Sequence, residues 1–309
     1  MRNWLEFVAG ATLALGLLVG CDDSHDRKPQ AKISAHKPAN EESRVAGLGA
    51  DWQAIEAVRV SVWGFAASPS SPPASVEAIR GALAANMLPP RDAVRIADLL
   101  DMASATFFSG TGNPSATSGP RPVLVLTETP WNDDTMLLWV EIAPAPSARN
   151  PGVSIEFDPK TVAAFRSLGS PSALPVPMAP GGGHIAVLYE LLPQPEIAPG
   201  ATTRYGTLHL AGGDEPITTA NFVRSIEDAP DIVRFDAAVA GFGGLLRGDP
   251  AVRDLSAKEV ITMAEGADRP DPSEGRAALI DMMRRAEPLI DLPPSAAPSS
   301  EEPLPNPPR

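Results

Sequence analysis

The sequence predicts an α+β fold: an antiparallel, β-sandwich-like sheet, with two helices from the N-terminal half and about three C-terminal helices packed on it. Three observations predict it. Apolar residues recur with a period of two in most segments between residues 58 and 210, then with a period of 3.6 after residue 230. Thirty-five prolines and only 5% aromatic residues favour short strands and proline-bounded helices over a helical bundle. The gross order is strands, two helices, strands, three helices, which groups like elements together.

Taken in order, Val58, Val60 and Val62 alternate with Arg59, Ser61 and Trp63, the pattern of a half-buried strand. Ser75 is the expected N-cap of a helix reaching Met87, with Ile79 and Leu83 on one face, and Pro89-Pro90 stops it. A second helix is expected from Arg91 to Ala103, offering Val94, Ile96, Leu99 and Leu100 to the core. After a loop over Ser109–Pro122 come strands Val123–Glu128 and Met136–Ile142, joined by a turn around Pro130 and Asn132. The second half supplies strands Val153–Phe157, Val162–Leu168, Ile185–Glu190 and Tyr205–Leu210.

The period then changes. Ile232, Phe235, Val239, Phe242 and Leu246 form one helical stripe within Pro230–Arg247, with proline at its start and Gly248 just past its end. Ser256 and Glu259 make a capping box for a short helix ending near Gly266. Asp271, Pro272 and Glu274 are read the same way for a helix reaching Glu287, where Pro288 is expected to end it.

The two ends read differently from this body. Arg2 precedes an apolar run from Phe7 to Val19, shorter than an ordinary membrane span, and the run closes on Leu18-Val19-Gly20-Cys21. That box is similar to the one cut by lipoprotein signal peptidase, which implies cleavage between Gly20 and Cys21 and lipid on Cys21, the chain's one cysteine. An uncleaved anchor or a plain secretory peptide is the competing reading. Each buried methylene contributes roughly 0.8 kcal/mol and stable anchoring takes two signals, so a doubly or triply acylated Cys21 would hold the protein on a membrane without a spanning helix. Asp22 and Asp23 resemble an inner-membrane retention signal, so the expected location is the bacterial envelope, periplasm-facing, with the inner membrane favoured. Residues 21–51 are polar, carry Lys28, Lys32 and Lys37, and read as a flexible tether. Leu292–Arg309 holds seven prolines and reads as an extended, disordered tail.

Composition excludes some functions. The net charge is −13, and losing residues 1–20 removes one arginine and one glutamate, leaving it unchanged. An acidic chain argues against nucleic acid as a partner, since phosphate binding needs clustered Lys and Arg. With Cys21 lipidated no disulfide can form, so the fold rests on its own core.

No catalytic constellation stands out. His25 and His36 fall in the tether, and neither His184 nor His209 has a ligand-type neighbour at i+2 to i+4. Gly181-Gly182-Gly183 before His184 suggest an anion nest, but a tight approach into a strand, with His184 hydrogen-bonded at its edge, is the better account. Gly241, Gly243 and Gly244 suggest a dinucleotide loop, yet Leu246 stands at the third glycine position and the run lies inside a helix, where close packing is the better account. Asp133-Asp134 are read as solvated turn residues rather than paired catalytic carboxylates. Trp52, Trp63, Trp131 and Trp139 are read as core or sheet-edge residues rather than a carbohydrate face. No metal and no cofactor are expected.

Several segments together resemble a known family. Residues 153–169, Val-Ser-Ile-Glu-Phe-Asp-Pro-Lys-Thr-Val-Ala-Ala-Phe-Arg-Ser-Leu-Gly, are similar to the opening of the C-terminal domain of bacterial von Willebrand factor A-domain lipoproteins. Gly183-His-Ile-Ala-Val-Leu-Tyr-Glu190 resembles that domain's Gly-His strand, and Arg234–Arg247 its central helix. Met87–Ile96 and Thr127–Asn132 resemble the segment that precedes the A domain. In that family a complete A domain with a metal-ion-dependent adhesion site lies between the two flanks. Here only residues 143–152 separate them and no Asp-x-Ser-x-Ser motif occurs, so the metal site is not carried over. The resemblance implies an N-terminal flanking segment (52–142), a short joint (143–152) and a C-terminal domain (153–291). The expected arrangement is one composite fold in which Met136–Ile142 and Val153–Phe157 share a sheet. The expected function is a non-catalytic, lipid-anchored envelope module that binds another envelope protein. The alternative is an envelope hydrolase with a site assembled from distant residues, and a third possibility is a relic without a partner.

Overall fold

A computed structural model describes residues 52–55, 59–61, 74–104, 121–143, 153–168, 185–195, 203–210, 213–267 and 274–291. Cys21 with its neighbours Gly20, Asp22 and Asp23, the tether, Trp63, His184, the joint beyond Ala143, Asp271 with Pro272, and the tail all lie outside them. In chain order the described elements are β1 (Gln53–Ala54), β2 (Arg59–Ser61), α1 (Ala74–Ala84), α2 (Ile96–Ser104), β3 (Arg121–Thr129), β4 (Asn132–Ala143), β5 (Ser154–Phe157), β6 (Val162–Leu168), β7 (Ile185–Pro193), β8 (Arg204–Leu210), β9 (Gly213–Thr218), β10 (Phe222–Val223), α3 (Asp231–Arg247), α4 (Ala257–Gly266) and α5 (Gly275–Ile290).

The strands form two sheets. The first has six strands in the order β1-β6-β7-β4-β3-β10, the second four in the order β2-β5-β8-β9. All pairings are antiparallel except the short parallel pair of β10 with β3. The central strands of the first sheet are buried on both faces. Leu126, Leu138, Val140, Phe165, Tyr189 and Leu191 meet Ile155, Phe157, Leu208 and Ile217 of the second sheet. Residues one position along, among them Val125, Leu137, Trp139 and Leu188, meet the helices instead. The result is three layers: small sheet, large sheet, helices. The fold is α+β, with helices from both halves of the chain on one sheet of a sandwich.

Phe157 of the small sheet lies 5.0 Å from Phe165 and 5.7 Å, edge-on, from Tyr189 of the large one. Such aromatic pairs add about 0.5–1.5 kcal/mol beyond the area they bury. All three rings lie downstream of residues 143–152; the two sides of that stretch are joined by β4, which runs between β3 and β7 and pairs with both.

Several expectations are corrected. Met136–Ile142 and Val153–Phe157 do not share a sheet. Both edges of β4 are occupied by β3 and β7, so β5 packs across from β4 face to face and shares its core rather than its hydrogen bonds. Ser75 does not cap α1, which already includes it. Its Oγ instead accepts the Arg95 N–H at 3.2 Å, at the entrance of α2. Arg91 to Ala103 is not one helix: Arg91–Ala93 is a single 3-10 turn, and extended Val94 separates it from α2. Pro288 does not end α5, which runs on to Ile290; in the last turn a proline forfeits only one helical bond. Glu274 stands before α5 in a left-handed conformation (φ 58°) and gives no side-chain cap. Strands β1, β9 and β10 had no sequence signal, being two residues long or, for β9, mostly exposed and polar.

The helical boundaries near the C-terminus are otherwise as the capping chemistry requires. Ser256 and Glu259 form the reciprocal box at α4, and Gly248 adopts the left-handed conformation (φ 63°) that closes α3. The central helix α3 is buried on nearly all sides, and its glycines explain how. A Cβ on Gly243 would stand 2.6 Å from Ile96 Cγ1 of α2, one on Gly244 2.9 Å from Val252, and one on Gly241 2.8 Å from Leu255. Close packing, not phosphate binding, accounts for these three residues.

This contrast is testable by denaturation. Gly243→Ala overpacks the α2–α3 contact and is expected to destabilise by about 1–3 kcal/mol. Gly81→Ala in α1, where nothing lies within 4 Å of the new methyl, is expected to stabilise by about 0.5–1 kcal/mol.

Candidate functional site

Charged side chains are buried where the large sheet meets the helical layer. Arg166 on β6 and Glu190 on β7 are direct cross-strand partners. The Arg166 Nε and Nη2 atoms each lie 2.6 Å from Glu190 Oε2, and Nη1 lies 2.5 Å from Asp249 Oδ2, just beyond α3. The side chains of Arg166 and Glu190 are 4% and 0% exposed, so neither is available to a ligand without opening the fold. Asp249 also accepts the Ala251 N–H at 2.9 Å, which starts the 3-10 turn Pro250–Val252. The Thr135 hydroxyl donates to Glu190 Oε1 at 2.8 Å, and the Trp52 ring covers the guanidinium at 5.5 Å. Burial works against the Arg166 charge, but Glu190 and Asp249 outweigh it and hold the guanidinium protonated.

A second buried group lies deeper. Asp236 on α3 accepts the Trp139 Nε1–H at 2.9 Å. Arg276 of α5 stacks on Phe235 at 4.4 Å and donates to the Ala267 carbonyl at 2.9 Å. Burial pushes the Asp236 carboxyl up to about 7; Trp139 and Arg276 pull the other way, while Glu141 adds to the rise. On α2, burial together with neighbouring Asp98 pushes Asp101 up to about 7, with Arg95 opposing. A carboxyl near neutrality can exchange protons, but Asp236 is sealed from substrate, 1% exposed.

Two further places among the described residues are open to solvent. On the outer face of the small sheet, His209 of β8 stands 2.9 Å from Asp214 and 3.3 Å from Glu156. This does place a histidine between two carboxylates, but on a flat sheet face rather than in a pocket, with Asp214 and Glu156 both largely exposed. Among the described residues no three His, Cys, Asp or Glu side chains are arranged to hold a metal ion. The other is a cleft of about 650 Å³ between the β3–β4 turn (Pro130, Trp131, Asn132, Asp133, Asp134) and the loop Pro250–Asp254. Asp133 and Asp134 are exposed at its rim, as are Arg253 and Asp254, which pair at 3.5 Å. The cleft adjoins the Arg166 cluster in sequence on both sides, through Thr135 and Asp249.

Of the tryptophans, Trp52, Trp131 and Trp139 are all buried, in keeping with core and sheet-edge packing. The sequence reading missed Arg166, Glu190, Asp249, Asp236 and Arg276. A signal existed for two of them: Arg166 and Glu190 are single charges inside otherwise apolar strands buried on both faces. Nothing in the pattern marks Asp249 as their common partner.

A family model described as "Uncharacterized protein YfbK, C-terminal" matches residues 211–289, the stretch from β9 to near the end of α5. It contributes Asp236, Asp249 and Arg276 to the buried clusters and Pro250–Asp254 to the cleft. No curated protein and no solved structure matches the chain.

Two measurements check the electrostatics. Because the folded Asp236 holds its proton up to about pH 7 and the unfolded one only to about 4, the folded state binds more protons in that window, and this residue makes stability fall as pH rises from 4 to 7. Asp236→Asn, which still accepts from Trp139, is expected to flatten that slope and to raise Tm above the wild type at pH 8. Arg166→Met leaves Glu190 buried without its cation and is expected to cost about 3–5 kcal/mol in urea unfolding.

Proposed function

We propose that this protein is a lipid-anchored bacterial envelope lipoprotein that works as a non-catalytic interaction or scaffold module, built like the two flanks of the von Willebrand factor A-domain lipoproteins without the A domain. The observation that carries the proposal is the disposition of charge. The groups best suited to chemistry, Arg166, Glu190, Asp236 and Arg276, are sunk in the sheet–helix interface and engaged with their neighbours, while the cleft at the surface is an open, polar one rimmed by carboxylates. Charges placed this way tie layers together; they do not meet a substrate.

The sequence features support the rest of the reading. Leu18-Val19-Gly20-Cys21 supplies the anchor, and Asp22-Asp23 favours the inner membrane. The family-model match at residues 211–289 overlaps the stretch that resembles the lipoprotein C-terminal domain. The partner is another envelope protein, reached from the end of a tether.

Anchoring and partnership are tested separately. Cys21→Ser is expected to abolish labelling by radioactive palmitate and to move the protein from the membrane to the soluble fraction; retained label would overturn the anchor. Crosslinking in intact cells, followed by mass spectrometry, is expected to return a specific envelope partner for the wild type. If deletion of residues 292–309 leaves every crosslink unchanged, the tail is not the docking element and the body is.

A further inference from the structure

The segment that leads into the folded body is fastened apart from the rest of it. Trp52 is buried, 7% exposed, yet it belongs to neither main core. It packs instead with Ala163, Ala164 and Leu192 in a small cluster of its own at the edge of the large sheet. The next two residues, Gln53 and Ala54 of β1, are exposed and pair with Phe165 and Ala164 of β6. Ile55 donates its N–H to the Ala163 carbonyl at 3.1 Å and rests, half-buried, against the margin of the core between the sheets.

Three features make this attachment weak. β1 is two residues long and stands at the end of the strand order, so only β6 pairs with it among the described residues. The apolar surface beneath Trp52 is small, two alanines and a leucine. The Trp52 Nε1–H is buried without a hydrogen-bond partner, whereas Trp139 satisfies its own on Asp236. A buried donor left unpaired costs about 1–3 kcal/mol, and the cost vanishes when the indole returns to water. β4 is the opposite case, paired along its length with both β3 and β7 and feeding both cores. Local opening draws on segments with few buried apolar contacts and exposed backbone bonds, and residues 52–55 fit that description.

We propose that residues 52–55 are a strap, which leaves the edge of β6 as a unit and returns to it while both main cores stay closed. What the strap covers gives the motion a use. The Trp52 ring lies over the Arg166 guanidinium at 5.5 Å, and Arg166 holds Glu190 and Asp249 beneath it. Opening bares that face of the guanidinium and frees the Ala163 carbonyl, so the sheet edge gains a cation and a backbone acceptor together. In a chain anchored at Cys21, a pull on the tether reaches this strap before any other described element. That consequence rests on the anchor reading; the strap itself rests on its contacts alone.

The test is native-state hydrogen exchange, followed by NMR on the full ¹⁵N-labelled chain in detergent at low urea concentrations. The chain carries Cys21→Ser, so it has no thiol and no lipid, and the outcome is independent of the anchor. The Ile55 N–H is expected to exchange about a hundredfold faster than the Leu138 N–H of β4. Its rate is expected to be nearly independent of urea, because opening the strap exposes little surface. A lock supplies the second measurement. Ile55 bonds to Ala163, so the neighbouring pair Ala54 and Ala164 is one that exchanges no hydrogen bonds. Such pairs bring their Cα atoms to about 4.5 Å, within reach of a disulfide. Oxidised Ala54→Cys/Ala164→Cys is expected to slow Ile55 to the Leu138 rate of the same variant, and reduction to restore the difference. Ile55 exchange as slow and as urea-dependent as that of Leu138 in the unlocked chain would overturn the strap, whether or not the disulfide forms. So would Ile55 exchange as fast as in an unstructured peptide, or fast exchange that persists in the oxidised variant.

Discussion

The constraint on which the structure depends is that the central strands of its large sheet have neither face in water. An antiparallel sheet ordinarily buries one side and wets the other. Here consecutive residues on one strand enter different cores: Leu138 points at the small sheet and Trp139 at α3, both essentially inaccessible. Every other layer exists to cover one of these faces. The small sheet is recruited from strands on either side of the joint, since β2 pairs with β5 and β5 with β8. The helical layer draws α1 and α2 from the first half of the chain and α3 to α5 from the second.

Burying both faces has an electrostatic corollary. Charged groups pointing toward the helices cannot be left to water, so they need internal partners. Arg166 and Glu190 answer each other across neighbouring strands, and Asp249 reaches in from the end of α3 to complete the set. Trp139 and Asp236 do the same one layer deeper. These contacts cross the sheet–helix boundary at defined points. They fix the register of α3 on the sheet in a way that sliding apolar contacts would not, and α3's three glycines let the helix come close enough for them to form.

Much of this was legible in the residues and some was not, for physical reasons. The switch from period two to period 3.6 near residue 230 located α3 well, because one strong stripe and a terminal glycine leave little choice. The capping box of Ser256 and Glu259 is local chemistry and read correctly. Ser75 did not, since a hydroxyl near one helix start is free to serve another that folds against it, and only the tertiary approach of Arg95 decides the matter. The sheet assignment of Val153–Phe157 failed for a similar reason: alternation tells which face is buried, not which neighbour shares the hydrogen bonds. The cleft was invisible because its two walls are more than a hundred residues apart.

The layering also bears on how the stretch 211–289 should be regarded. It is matched by one family model, yet it carries α3, α4 and most of α5 with only the edge strands β9 and β10 and without the central strands they cover. Cut out alone, it would present Val233, Phe242 and their neighbours to water and strand Asp236 and Asp249 without Trp139 and Arg166. Its borders therefore mark similarity, not autonomy.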